Sequence, residues 1–188
     1  RSQISAGAVS WDVTEQELSV CETLKQEDSL EPLDYSLINS AGIPPELVNS
    51  HYVGLLAFTK VLSYRQDKFG DNGPQSWADF WDVEKFPGAR TMHDRVVGSL
   101  EFALEADGVA PSEVYNVLAS PGGVDRAFAK LDEIKPHIVK FWSSGAEPIQ
   151  MIADGEVTAA IAWNGRLQAM KNEGVDVFYT FQDGNLDT

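Results

Sequence analysis

Residues 139–166 read VKFWSSGAEPIQMIADGEVTAAIAWNGR. The run 139–142 is short, apolar and β-prone, and Ser143, Ser144 and Gly145 break it. From 146 to 153 the residues Ile149, Met151, Ile152 and Ala153 predict a helix against a core. Ser144 and Glu147 have capping-box spacing, with the hydroxyl on the third helical N–H and the carboxylate reaching back. Pro148 is tolerated because first-turn N–H groups have no partner within the helix. Asp154 and Gly155 stop the helix. Residues 157–163 then read as a strand with both faces apolar or small: Val157, Ala159, Ile161 and Trp163 on one, Thr158, Ala160 and Ala162 on the other. Burial on both faces marks a mostly parallel sheet with helices on each side. The expectation is that two neighbouring parallel strands end side by side, at Trp142 and Trp163, next to a helix start. Ligands of open α/β sheets bind at such an edge.

Outward from that stretch, β–α alternation continues. Towards the C-terminus, 164–173 predicts a helix stopped by Gly174, and 175–180 a strand. Towards the N-terminus, Val124, Ala127, Phe128, Leu131 and Ile134 make a stripe of period 3.6. Pro111 opens another helix, and 98–107 one more, stopped by Gly108. Residues 90–92 read as a short strand whose end carries His93, Asp94 and Arg95. Ser76 and Asp79 cap a short helix in which Trp77, Phe80 and Trp81 are read as core. The apolar run 51–59 predicts a strand, and 61–64 continues it. Residues 29–45 are turn-rich. Thr14 caps a helix over 14–25 with Leu18, Cys21 and Leu24 on one face, and 8–13 reads as a strand. Together these alternations give an α/β fold.

Composition narrows the function classes. The 188 residues, 43% hydrophobic and 23% charged, suit a globular chain of one substantial domain or a lobe and a half. No apolar run approaches the about 20 residues of a membrane span, so no stable membrane insertion is expected. The net charge of −15 argues against nucleic acid, whose affinity rests on Lys and Arg at phosphates. Cys21 is the sole cysteine and cannot form an internal disulfide. His51, His93 and His137 lack metal-ligand spacing, so no metal is expected. There is no nucleophile elbow, P-loop or dinucleotide fingerprint, so neither a catalytic set nor a cofactor is read.

The ordered motifs carry a resemblance. Trp11-Asp12-Val13, Leu30 to Asp34, SWADFWDVEKFPGAR (76–90), LEFALEADGVAPSEVY (100–115) and the stretch quoted first occur in the order seen in extracellular solute-binding proteins of the spermidine/putrescine type. The chain resembles those receptors of ABC importers. The resemblance implies a periplasmic-binding-protein-like α/β lobe at 53–180 and the remainder of an incomplete first lobe at 1–52. It makes 181–188 the start of a return crossover, and 51–59 a hinge strand. It implies a longer parent with an export signal, an extracytoplasmic location, and importer membrane subunits as partners. An incomplete lobe is also expected to self-associate.

Binding is thus read over catalysis, with a small solute in an interlobe cleft. The candidate walls are Trp163 and Trp142, each weighed against plain core packing. Ser143, Ser144 and Asn164 are candidate hydrogen-bonding groups, Asp94 and Arg95 candidate charges, and Thr59 or Phe58 candidate hinge lining. Polyamine-binding relatives place acidic residues near 94–98; here the resemblance matches Asp94 to one of them, while Gly98 replaces a second and Arg95 stands between. An arginine there repels a polyamine and favours a carboxylate by bidentate pairing. A polyamine-like ligand and another small organic ligand both stay open. A ligand-sensing regulatory domain or an enzyme on the same fold is the alternative, because fold does not fix function.

Overall fold

A computed structural model describes residues 1–187. The chain divides into two compact units, Arg1–Ala57 and Phe58–Leu186. The first holds the helices α1 (Ser2–Ser5) and α2 (Leu18–Gln26) among turns. The second contains β1 (Phe58–Arg65), α3 (Gln66–Phe69), α4 (Trp77–Trp81), β2 (Arg90–His93), α5 (Val96–Ala106), α6 (Val114–Leu118) and α7 (Gly123–Ile134). It continues with β3 (Ile138–Trp142), α8 (Glu147–Ala153), β4 (Ala159–Trp163), α9 (Asn164–Asn172) and β5 (Val177–Asp187).

The five strands form one sheet in the order β3-β2-β4-β1-β5. β2 pairs parallel with both β3 and β4, and β1 runs antiparallel to β4. The sheet is therefore mixed, with a parallel centre. One expectation is corrected here: the strands ending at Trp142 and Trp163 are not neighbours, because β2 lies between them and ends at His93. Pairing order depends on which strands meet in space, which the local pattern of two runs does not encode.

Both faces of the sheet are covered. On one, Leu62, Tyr64, Met92, Ala159 and Ile161 pack with Trp77 and Phe80 of α4, Phe102 of α5 and Ala127 of α7. On the other, Val61, Ala160 and Ala162 pack with Met151 and Ile152 of α8 and Leu167 and Met170 of α9. The alternation holds within the ladder, which starts at Ala159, but Val157, read on the face of Ala159 and Ile161, packs instead with Ala160 and Ala162, because it precedes the strand. Ser76 caps α4 as its spacing predicts, its hydroxyl accepting from the Asp79 N–H at 3.1 Å. Trp77, Phe80 and Trp81 are all buried.

Several expectations fail. Residues 8–13 form no strand, and Trp11 and Val13 are 69% and 90% exposed. A strand needs a partner for its N–H and C=O groups, and no neighbouring segment of this unit offers a ladder. The strand predicted over 51–59 begins only at Phe58, leaving Leu55 and Leu56 exposed. α2 starts after Glu17, not at Thr14. On α7, Ala127 and Ile134 are buried while Val124 and Phe128, from the same stripe, remain about half exposed. The strand read over 175–180 runs on as β5 through Asp187, and Thr188 lies outside the described residues.

Candidate functional site

The C-terminal tips of the three parallel strands carry Trp142, His93 and Trp163. His93 and Trp142 are register partners across β2 and β3, and their rings stack with centroids 4.1 Å apart. Trp163 meets both edge-on, at 5.4 Å from Trp142 and 6.0 Å from His93, and Phe58 of β1 closes the cluster at 5.8 Å. Edge-to-face rings in this range attract through their quadrupoles. Gly145 permits the packing, since a Cβ there would lie 2.3 Å from the Trp163 ring. The residue read as a break in the sequence is therefore a seat for an indole.

The tryptophans play different parts. Trp142 is fully buried and its Nε1 donates to the Ile161 carbonyl at 2.9 Å. It presents no surface to solvent and backs His93 instead. Trp163 is half-buried, with the Arg166 guanidinium 6.0 Å from its ring. Among the described residues its Nε1 is buried without a hydrogen-bond partner, and so is His93 Nδ1. Such orphaned groups are rare in folded proteins and mark sites that need explaining.

Asn164 opens α9 and its side chain bridges to β1, Oδ1 accepting from the Thr59 N–H at 2.9 Å. Thr59 and Asn164, far apart in sequence, are thus joined at the same end of the sheet. Past β2, the Asp94 N–H donates to the Trp142 carbonyl at 2.9 Å, which fixes the turn. The Asp94 carboxylate lies 3.4 Å from Arg95 and 3.8 Å from His93 Nε2. The Arg95 side chain is 69% exposed. Burial, together with the nearby Lys60 charge, pushes the His93 imidazole down to about 4 against the pull of Asp94. His93 is thus neutral at physiological pH.

Ser143 and Ser144 are exposed. Their N–H groups donate to Glu147 Oε2 at 2.9 and 3.4 Å, and Lys140 holds the other oxygen at 2.9 Å. That is one half of the expected capping box. The other half is absent: α8 has Ala146 at its cap, and no side chain caps it. The Lys140 ammonium, with these N–H donors, lowers the Glu147 carboxyl.

Two residues of this region were missed by sequence reasoning. His93 is read at a strand end beside Asp94 and Arg95 but not among the candidate site groups, and Lys60 sits unmarked inside an apolar run. Lys60 is fully buried, faces Trp163 across the β1–β4 ladder, and donates to the Val97 carbonyl at 3.1 Å. A charged residue amid strand apolars was the available signal. Among the described residues no group of three or more His, Cys, Asp or Glu side chains is placed to hold a metal. No helix among them is long and apolar enough to cross a membrane.

The chain is similar to known solute-binding proteins. The γ-aminobutyric acid-binding protein of Pseudomonas aeruginosa is 41% identical over 176 residues, which is 93% of this chain and 49% of that protein. The solved structure of MotA from A. tumefaciens B6 in complex with glucopine matches with a TM-score of 0.91 at 37% identity, covering 100% of this chain and 58% of that one. The Atu4243 GABA receptor matches with a TM-score of 0.88 at 35% identity, covering 100% of this chain and 57% of that one. The chain thus spans about half the length of the relatives it matches. The family described as bacterial extracellular solute-binding protein matches residues 1–186, and the chain belongs to that family.

Proposed function

We propose that the complete gene product captures a small organic solute bearing a carboxylate and delivers it to the membrane subunits of an ABC importer without transforming it. The observation that carries the reading is the convergence of Trp142, His93 and Trp163 at one end of three parallel strands, with two unpaired ring nitrogens among them. Such an aromatic patch with a few polar groups is what a solute site requires. In this reading Trp163 is the wall and Trp142 its support. Asn164 and Thr59 set the rim, Arg95 and Asp94 supply charge, and the exposed Ser143 and Ser144 hydroxyls are free to bond the solute. The relatives support a carboxylate: one is named for γ-aminobutyric acid and another is solved with glucopine. Arg95 favours the same ligand class, because its guanidinium pairs with a carboxylate and repels an ammonium. An extracytoplasmic location goes with this reading, and so does the absence of catalysis.

Thermal-shift screening of the complete gene product against amino acids, opines, small carboxylates and polyamines tests it. A ligand at about 100 times its Kd should add roughly 2.7 kcal/mol of stability. A panel without any stabilising compound would sink the reading.

A further inference from the structure

Lys60 is fully buried, yet among the described residues it takes part in no ion pair. Its ammonium donates to the Val97 carbonyl at 3.1 Å, and its other N–H groups find no partner among those residues. Burying an ammonium without a carboxylate is costly. The fold nevertheless makes room for it. Gly98 adopts φ +86°, and a Cβ there would come within 3.1 Å of Lys60 Cδ. Glu101, on the first turn beyond, is already engaged. Its Oε2 accepts from the Gly98 N–H at 2.8 Å and its Oε1 from the Tyr115 hydroxyl at 3.2 Å.

Lys60 also lies where the proposed site comes together. It stands opposite Trp163 in the β1–β4 ladder, and its carbonyl anchor is two residues past Arg95. His93 is 94% buried with Nδ1 unpaired, and its lowered pKa registers the Lys60 charge. Beside the strand tips there is therefore a buried amine with no carboxylate partner among the described residues.

We infer that Lys60 is a specificity-determining residue, the buried countercharge that makes the strand-tip site select a solute with a carboxylate over its amide or a polyamine. The inference rests on the capture reading above and adds a residue that acts by its field from behind the contact surface. Salt separates this role from that of Arg95. An exposed guanidinium is screened by added salt, whereas a buried ammonium is screened far less.

The test titrates the complete gene product with γ-aminobutyrate, its amide 4-aminobutanamide, putrescine and spermidine, using calorimetry at low and high salt. Glucopine and its amide replace the first pair if γ-aminobutyrate does not bind. The expected preference for carboxylate over amide is about tenfold or more, and it persists at high salt. Lys60→Met should cut that preference to about twofold while still melting cooperatively, and Arg95→Gln should lower affinity yet keep a preference. A Lys60→Met variant with the full preference overturns the inference, as does loss of the whole preference in Arg95→Gln. Binding of polyamines alone overturns it while leaving solute capture intact. If no compound binds, capture itself falls and this inference with it. Should Lys60→Met fail to fold, the salt series and Arg95→Gln decide.

Discussion

At the scale of single residues, a histidine and a glutamate give this chain opposing pH dependences. His93 falls from 6.5 to about 4 in the fold, chiefly through burial, with the Lys60 charge second. Between those values the unfolded chain binds a proton that the folded one refuses, so this contribution is present above 6.5 and lost as pH falls towards 4. Glu105 rises from 4.5 to about 7, through burial first and then Asp183 and Glu101, and its Oε2 is buried without a partner among the described residues. The folded state keeps a proton there that the unfolded state releases, so stability falls as pH rises from 4.5 to 7. The two slopes oppose each other where the windows overlap. Glu105→Gln should leave only the histidine slope, with stability rising by roughly 1–2 kcal/mol from the bottom of the overlap to its top. His93→Gln should leave the opposite slope. Urea unfolding across that range checks both, and flat profiles in the two variants would contradict the assignment.

At the scale of elements, β2 is held by a buried guanidinium. Arg90 is fully buried and donates to the carbonyls of Phe80 at 2.8 Å, Gly88 at 2.6 Å and Phe86. One side chain thereby ties the end of α4 and the loop after it to β2, the strand between β3 and β4. Burial lowers Arg90 to about 10, which still leaves it charged at neutral pH. Arg90→Met should cost roughly 3–5 kcal/mol, since three carbonyls lose a charged donor in a dry setting. A loss below about 1 kcal/mol on urea unfolding would mean that water or the backbone replaces those bonds. This strap was not legible in the sequence, where Arg90 reads as the polar edge of a short strand. The elements around it were. The Ser76–Asp79 spacing located α4, Gly174 closed α9, and the two-sided apolar run located β4. Such signals lie within a few residues of the structure they specify. The runs at 8–13 and 51–59 misled because a strand is completed by a partner elsewhere.

At the scale of the whole molecule, the two units differ in how much they bury. No residue of Arg1–Ala57 is fully buried, whereas Phe58–Leu186 packs both faces of its sheet. Amides of the first unit should therefore exchange hydrogen at nearly unprotected rates, and those of β1, β2 and β4 only on global opening. Equal protection in both units would refute this difference. The amino-acid sequence alone determined the α/β class, the sites of most helices, the two-sided burial of β4 and, through its ordered motifs, the family. These follow from local periodicity and capping, which are written into neighbouring residues. Only the tertiary structure decided that β2 separates β3 from β4 and that Trp142 is sealed beneath His93. It alone set a buried Lys60 beside the strand tips. Those are relations between residues brought together by pairing and packing, and no local pattern specifies which distant segment will supply the neighbour.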